Sequence, residues 1–379
     1  MLRDLEATEA VVLKARCPEE VFGPLAGDKA VALRRVYHRV IGTVHPDKFP
    51  SEPAARARAQ TLVGQLAEWR VRAEEKITAG TYGDNKRHEP AQGVREPQTI
   101  KAPKHTYVVT ERFAQGDLAD LYHCSYVENG TDNHAVFKIA QSAADNDLLE
   151  NEQKVLLGMY PLSQKPELMY RFLPKPYESF VLKGERGVGN RRVNVLQLAR
   201  DYVSLAEVRD AYPSGLDFRH AAWVFNRGLE VLWYVHKHHK TVHGAVLPTH
   251  LLVHPDRHGG KIVDWCYAVP EGGFIGAISK EYRSFYAPEV LKKERATSQT
   301  DIYMLAKCMV ALLGGDLATH TLPPAVPKPI GAFLQGCLIE SASQRPDDAG
   351  ALREEFDEVL ARVVGPRHYH GPLVMPAKT

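Results

Sequence analysis

The chain has 379 residues, enough for two ordinary domains, and its 44% hydrophobic, 25% charged and 8% aromatic content is that of a globular protein. A formal charge of +2 is too small to draw the chain to nucleic acid or an anionic membrane, so neither is an expected partner. Any charge-driven partner must meet a local patch instead.

Cys17, Cys124, Cys266, Cys308 and Cys337 are scattered and form no Cys-x-x-Cys pair, which argues against a disulfide framework or zinc site. Arg3, Asp4, Glu6 and Glu9 interrupt any apolar signal-peptide core, and no apolar run of about 18 residues could span a bilayer. A cytoplasmic location is expected.

Residues 1–83 read as helical. Leu33, Val36, Tyr37, Val40, Ile41 and Val44 keep helical spacing and form one apolar stripe, leaving Arg34, Arg35, His38 and Arg39 on a basic face. His45-Pro46-Asp47-Lys48 follows, and the proline ends the helix. A second helix, from about Pro53 to Ala79, turns Leu62, Leu66, Trp69, Ala73 and Ile77 inward.

Residues 84–105 are polar, with Pro90, Pro97 and Pro103, and read as a flexible linker. From Thr106 short β-type runs appear: Tyr107–Val109, Ala135–Ile139 and Val193–Leu198. Long helical patterns come next, one of them carrying Ala221, Val224, Phe225, Gly228, Leu232 and Val235 on one face. A sheet-rich part followed by a helix-rich part predicts two lobes, about 106–200 and about 201–366, with a loose tail at 367–379.

The basic helix Arg34-Arg35-Val36-Tyr37-His38-Arg39 running into Val44-His45-Pro46-Asp47-Lys48 resembles the J-domain of DnaJ-type co-chaperones. The resemblance implies an all-α helical hairpin that docks on a DnaK-type (seventy-kilodalton heat-shock) chaperone and stimulates its ATPase. Arg34, Arg35 and Arg39 would steer the encounter, and His45, Pro46 and Asp47 would trigger it. The first helix is reduced relative to that family, to Cys17–Gly23. A second His-Pro-Asp, at His254–Asp256, lies between Leu251-Leu252-Val253 and Arg257-His258-Gly259-Gly260 and reads as a hairpin turn.

The remainder is similar to the protein-kinase family, with motifs in kinase order. Phe113–Tyr122 stands at the glycine-rich loop, where Gly116 alone survives. Ala135-Val136-Phe137-Lys138 matches the phosphate-lysine strand, and Glu152, in preference to Glu150, its carboxylate partner. Asp264-Trp265-Cys266 stands for Asp-Phe-Gly, and Glu289, Asp301 and Arg345 hold the positions that are architectural in kinases. The resemblance implies an α+β two-lobed fold in which Gly116, Lys138, Glu152 and Asp264 meet ATP, with Asp264 on its magnesium.

The catalytic loop departs from the family pattern. His243-Gly244-Ala245-Val246-Leu247-Pro248-Thr249-His250 keeps the frame, but Ala245 stands where the catalytic base belongs, a loss of about 10²–10⁴-fold. Leu247 replaces a lysine, and His250 an asparagine that would bind magnesium. No catalytic residue is therefore assigned, and a pseudokinase is implied.

The expected function is a J-domain co-chaperone whose pseudokinase part binds a client or partner protein or senses nucleotide. The alternative is an atypical ATP-dependent kinase or nucleotidyl-transferring enzyme with a rearranged site. His236, His238, His239 and His243 read as structural, and Ser279, Tyr282 and Ser284 as candidate phosphorylation sites.

Overall fold

A computed structural model describes residues 2–15, 18–25, 27–50, 52–78, 82, 97–159, 172–184, 189–365 and 371–375. The chain divides into two compact units, 1–93 and 94–379. The fold is a multidomain α+β one: a helical first unit, then a second unit with an antiparallel sheet followed by helices.

In the first unit, α1 (Leu2–Lys14), α2 (Pro18–Phe22), α3 (Lys29–Val44) and α4 (Pro53–Thr78) are described, with a single 3₁₀ turn at Pro46–Lys48. Asp28 caps α3, accepting from the Ala30 and Val31 N–H groups at 3.0 and 3.2 Å. The helix stops at Val44 because His45 precedes proline and is extended (φ −60°, ψ 136°). Leu5, Val12, Phe22, Leu33, Val44, Phe49, Ala59, Leu62, Leu66 and Ala73 form the core. Tyr82 closes it, its hydroxyl donating to the Gly23 carbonyl at 2.9 Å. Lys76 pairs with the buried Glu19 at 2.6 Å.

The second unit opens with six antiparallel strands: β1 (Gln98–Lys101), β2 (Thr106–Gln115), β3 (Ala119–Glu128), β4 (Thr131–Ala140), β5 (Pro176–Leu182) and β6 (Arg191–Gln197). Their order is β1-β2-β3-β4-β6-β5. Side chains alternate across β4. Ala135, Phe137 and Ile139 join Tyr107, Tyr126, Val193 and Val195 in one apolar cluster. Val136 and Ala140 face the other way, into the large core that contains Leu149 and Leu156 of α5 (Asn146–Met159).

That large core continues through α6 (Leu205–Ala211), α7 (Phe218–His239), α8 (Pro288–Leu291), α9 (Ser298–Leu312), α10 (Lys328–Cys337) and α11 (Ala349–Val364). α9 is buried along nearly its whole length. α7 and α9 approach closely at Gly228, where a Cβ would lie 2.6 Å from Leu305 Cδ1. Short strands complete the unit: β7 (Val203–Ser204), β8 (Thr241–Val242), β9 (Leu251–His254), β10 (Gly259–Ile262) and β11 (Val269–Pro270).

Two expectations change. The linker expected over 84–105 is shorter at its end, because β1 pairs with β2 from Gln98↔Val109 to Lys101↔Thr106. The polar composition of Gln98–Lys101 suits an edge strand, which needs backbone pairing more than burial; residues 84–96 lie outside the described residues. The tail expected over 367–379 is anchored within 371–375: Leu373 is buried, its N–H donating to the Pro255 carbonyl at 3.1 Å. α9 starts at Ser298 with Thr297 as its N-cap. The Ser298 N–H is taken by Glu271 at 3.0 Å.

Candidate functional sites

The first site is an exposed surface of the helical unit. Leu33 and Val44 turn inward, which leaves Arg34, Arg35, His38 and Arg39 of α3 exposed together on the opposite face. The chain then bends at His45, Pro46 and Asp47, with His45 and Asp47 exposed. His45 Nδ1 accepts the Asp47 N–H at 3.3 Å, which braces the turn. Phe49, missed in the sequence reading, is fully buried and pins the turn to the core. The result is a cationic helix face ending in an exposed polar turn.

The second site is a buried cluster of charges. The β4–β6 register sets Lys138 opposite Asn194, so both side chains point towards α5. Lys138 Nζ donates to Glu152 Oε1 at 2.8 Å, Asp264 Oδ1 at 2.9 Å and Cys266 Sγ at 3.3 Å. Glu152 Oε2 accepts from Asn194 Nδ2 at 2.8 Å. Glu150, the less favoured candidate, instead pairs with Lys154 and Arg192 at 3.0 and 3.1 Å.

Burial alone would lower the Lys138 pKa, but Asp264, Cys266 and Glu152 raise it well above the usual lysine value. Burial likewise pushes Asp264 up, and Lys138 and His250 overcome it to hold the carboxyl well below the usual range. Asp264 has a left-handed backbone (φ 64°), an uncommon conformation for a side-chain-bearing residue and a frequent one at functional sites. Among the described residues, Glu152, Asp264 and Cys266 form the group of potential metal ligands, and the Lys138 ammonium bonds to all three.

No protein-family model matches this chain, and no curated protein does.

The loop from His243 to His250 borders the cluster. Ala245 and Leu247 are completely buried in the apolar core. The Ala245 N–H donates to His243 Nδ1 at 3.2 Å, and its carbonyl faces His250 Nδ1 at 2.8 Å. His250 Nε2 lies 3.2 Å from Asp264 Oδ2. Asp264, expected to hold a metal, thus has one oxygen on Lys138 and the other on His250. Gly244 has φ 74°, and a Cβ there would lie 2.9 Å from the Tyr267 carbonyl oxygen, so both conformation and space call for glycine.

The loop hangs on Asp301, which is fully buried and accepts the His243 N–H at 2.7 Å, the Gly244 N–H at 2.9 Å and a bond from His236 Nε2 at 2.8 Å. Arg345 holds Glu289 by two bonds, at 2.8 and 3.0 Å. Gly116 sits in the β2–β3 turn, tied down by Gln141 Nε2 on its carbonyl at 2.7 Å.

The sequence reading missed Asn194 and Gln141. A lone asparagine inside Val193-Asn194-Val195-Leu196 was the available signal for the first. His254–Asp256 forms the β9–β10 turn as expected. Ser279 is buried and its N–H donates to the Tyr286 hydroxyl at 2.9 Å, whereas Ser284 is exposed. Cys124, Cys266, Cys308 and Cys337 are buried free thiols; Cys17 lies outside the described residues. No helix of the described residues is long and apolar enough to cross a membrane.

Proposed function

We propose that this protein is a J-domain co-chaperone that recruits a DnaK-type chaperone in the cytoplasm and stimulates its ATPase. The observation that carries the reading is the exposed Arg34–Arg35–Arg39 face ending in the braced His45–Asp47 turn. Three guanidinium groups on one helix speed encounter with an acidic surface, and a pre-formed turn lowers the ordering cost of docking. Pro46 contributes to this by fixing its own φ.

The second unit, in this reading, is a pseudokinase: a client- or partner-binding module of protein-kinase-like fold. The Lys138–Glu152 pair, the Asp264 position and the Glu289–Arg345 pair are what support it. Ala245 is a buried methyl in place of a base, so the unit has no group there to take a hydroxyl proton. Lys138 is the side chain that would meet a phosphate of ATP. Joining a recruiting unit to a binding unit in one chain raises the effective concentration of chaperone at the client.

The test is binding of the full chain to immobilised ATP-bound chaperone. Wild type is expected to bind, with affinity falling as salt rises; Asp47→Asn and the Arg34→Glu/Arg35→Glu double variant are expected to lose at least about tenfold. Equal binding by all three proteins would sink the proposal.

A further inference from the structure

A cavity of about 570 Å³ opens on the second unit between α8, α9, residues 316–320 and residues 338–340, a volume within the range of small-molecule sites. Pro288, Leu317 and Leu338 give it apolar wall. The Tyr303 ring also lines it, with Lys307 Nζ 5.7 Å and the His320 ring 6.3 Å from its centre.

Lys307 is the unusual member. It comes from the buried helix α9, and only 5% of the residue is exposed. An ammonium has three protons to donate. Nζ gives one to the Leu317 carbonyl, and no carboxylate of the described residues lies within ion-pairing distance of it. The two carboxylates that line the cavity are engaged elsewhere. Asp316 Oδ1 accepts the Ala318 N–H at 2.8 Å, the Thr319 N–H at 2.7 Å and the Thr319 hydroxyl at 3.0 Å. Glu340 pairs with Lys292 at 3.4 Å. Burial lowers the Lys307 pKa, and the charge of Asp316 offsets this only in part. A buried ammonium without a counter-ion is costly, and one that lines a cavity is placed to gain its counter-ion from a ligand.

The facing wall is ordered without a ligand. The Gly315 N–H donates to the Val310 carbonyl at 2.8 Å and the Asp316 N–H to the Thr321 carbonyl at 2.9 Å, so little ordering cost falls on binding. The exposed Asp316 and Glu340 carboxylates disfavour a doubly charged anion. A single negative charge on an apolar body suits both the one unpaired cation and the walls.

We propose that this cavity binds an organic monocarboxylate, with the ligand's carboxylate on the Lys307 ammonium and its apolar body against Tyr303, Leu317 and Leu338. Neither the co-chaperone nor the kinase-like reading enters this proposal.

The test titrates the full chain with 3-phenylpropionate, followed by saturation-transfer NMR. Saturable binding is expected, at least about tenfold tighter than that of the uncharged 3-phenylpropionamide, since a charge-assisted bond is lost in the amide. Phenyl phosphate, with its second negative charge, is expected to bind at least about tenfold more weakly than the acid. Lys307→Met puts an apolar chain of similar length in place of the ammonium, and is expected to weaken the acid at least about tenfold while leaving the amide within about twofold. The comparison of acid with amide needs no variant, so it stands even if Lys307→Met does not fold. No saturable binding of the acid would overturn the proposal. So would equal affinity for acid and amide, phenyl phosphate binding as tightly as the acid, or a folded Lys307→Met that binds the acid as wild type does.

Discussion

Asp301→Asn replaces the buried carboxylate that suspends the His243–Ala245 loop with a neutral group of the same shape. Asp301 is 0% exposed and serves three donors, with His236 Nε2 and the His243 N–H on Oδ2 and the Gly244 N–H on Oδ1. An asparagine whose carbonyl takes the Oδ2 position keeps two of these bonds but sets its NH₂ against the Gly244 N–H. Charge-assisted bonds contribute about 1.5–3 kcal/mol and neutral ones about 1. One bond lost and two weakened, less the smaller desolvation of the amide, gives a destabilisation of about 3 kcal/mol. Urea unfolding of the full chain, followed by tryptophan fluorescence and far-ultraviolet dichroism, should show this as an earlier transition of the second unit. A loss below about 1 kcal/mol would refute the assignment of Asp301 as the anchor of the loop.

Further outcomes follow from other buried groups. Burial lowers the His243 pKa to about 4, so the ring is neutral when folded and has its ordinary value of 6.5 when unfolded. Stability is therefore complete above pH 6.5 and lost as pH falls towards 4, by about 3 kcal/mol in all, and His243→Asn should flatten that dependence in thermal melts. Glu289→Gln strands the buried Arg345 guanidinium and should cost about 3–5 kcal/mol in urea unfolding, whereas Lys292→Ala, at an exposed pair, should cost under about 1. Leu373→Ala should cost about 2–3 kcal/mol by the same assay if the segment 371–375 is held as described, and nothing measurable if it is a loose tail.

Much of the fold was legible because apolar periodicity sets it. The α3 stripe and the β4 alternation follow from burial on one face, and composition shows both without tertiary information. Lys138, Glu152 and Asp264 were named from the resemblance to protein-kinase motifs, and the structure brings them within hydrogen-bond reach. β1 was not legible, since an edge strand of Gln-Thr-Ile-Lys needs only a partner's backbone and carries no hydrophobic pattern. Nor was the buried Leu373, in a proline-flanked Leu-Val-Met run too short to show a period and with its contact more than a hundred positions away. His250 stood out in the sequence because the kinase pattern that the loop resembles has an asparagine at that place. Its pairing with Asp264 depends on a left-handed backbone at Asp264 that no local pattern announces.

In the proposed function the helical unit activates a DnaK-type chaperone. Single-turnover ATP hydrolysis by such a chaperone, measured with the wild-type chain and with His45→Gln, tests it most directly. The account predicts acceleration of at least about tenfold by the wild type and little or none by the variant. Equal rates with wild type, His45→Gln and no added protein would contradict it.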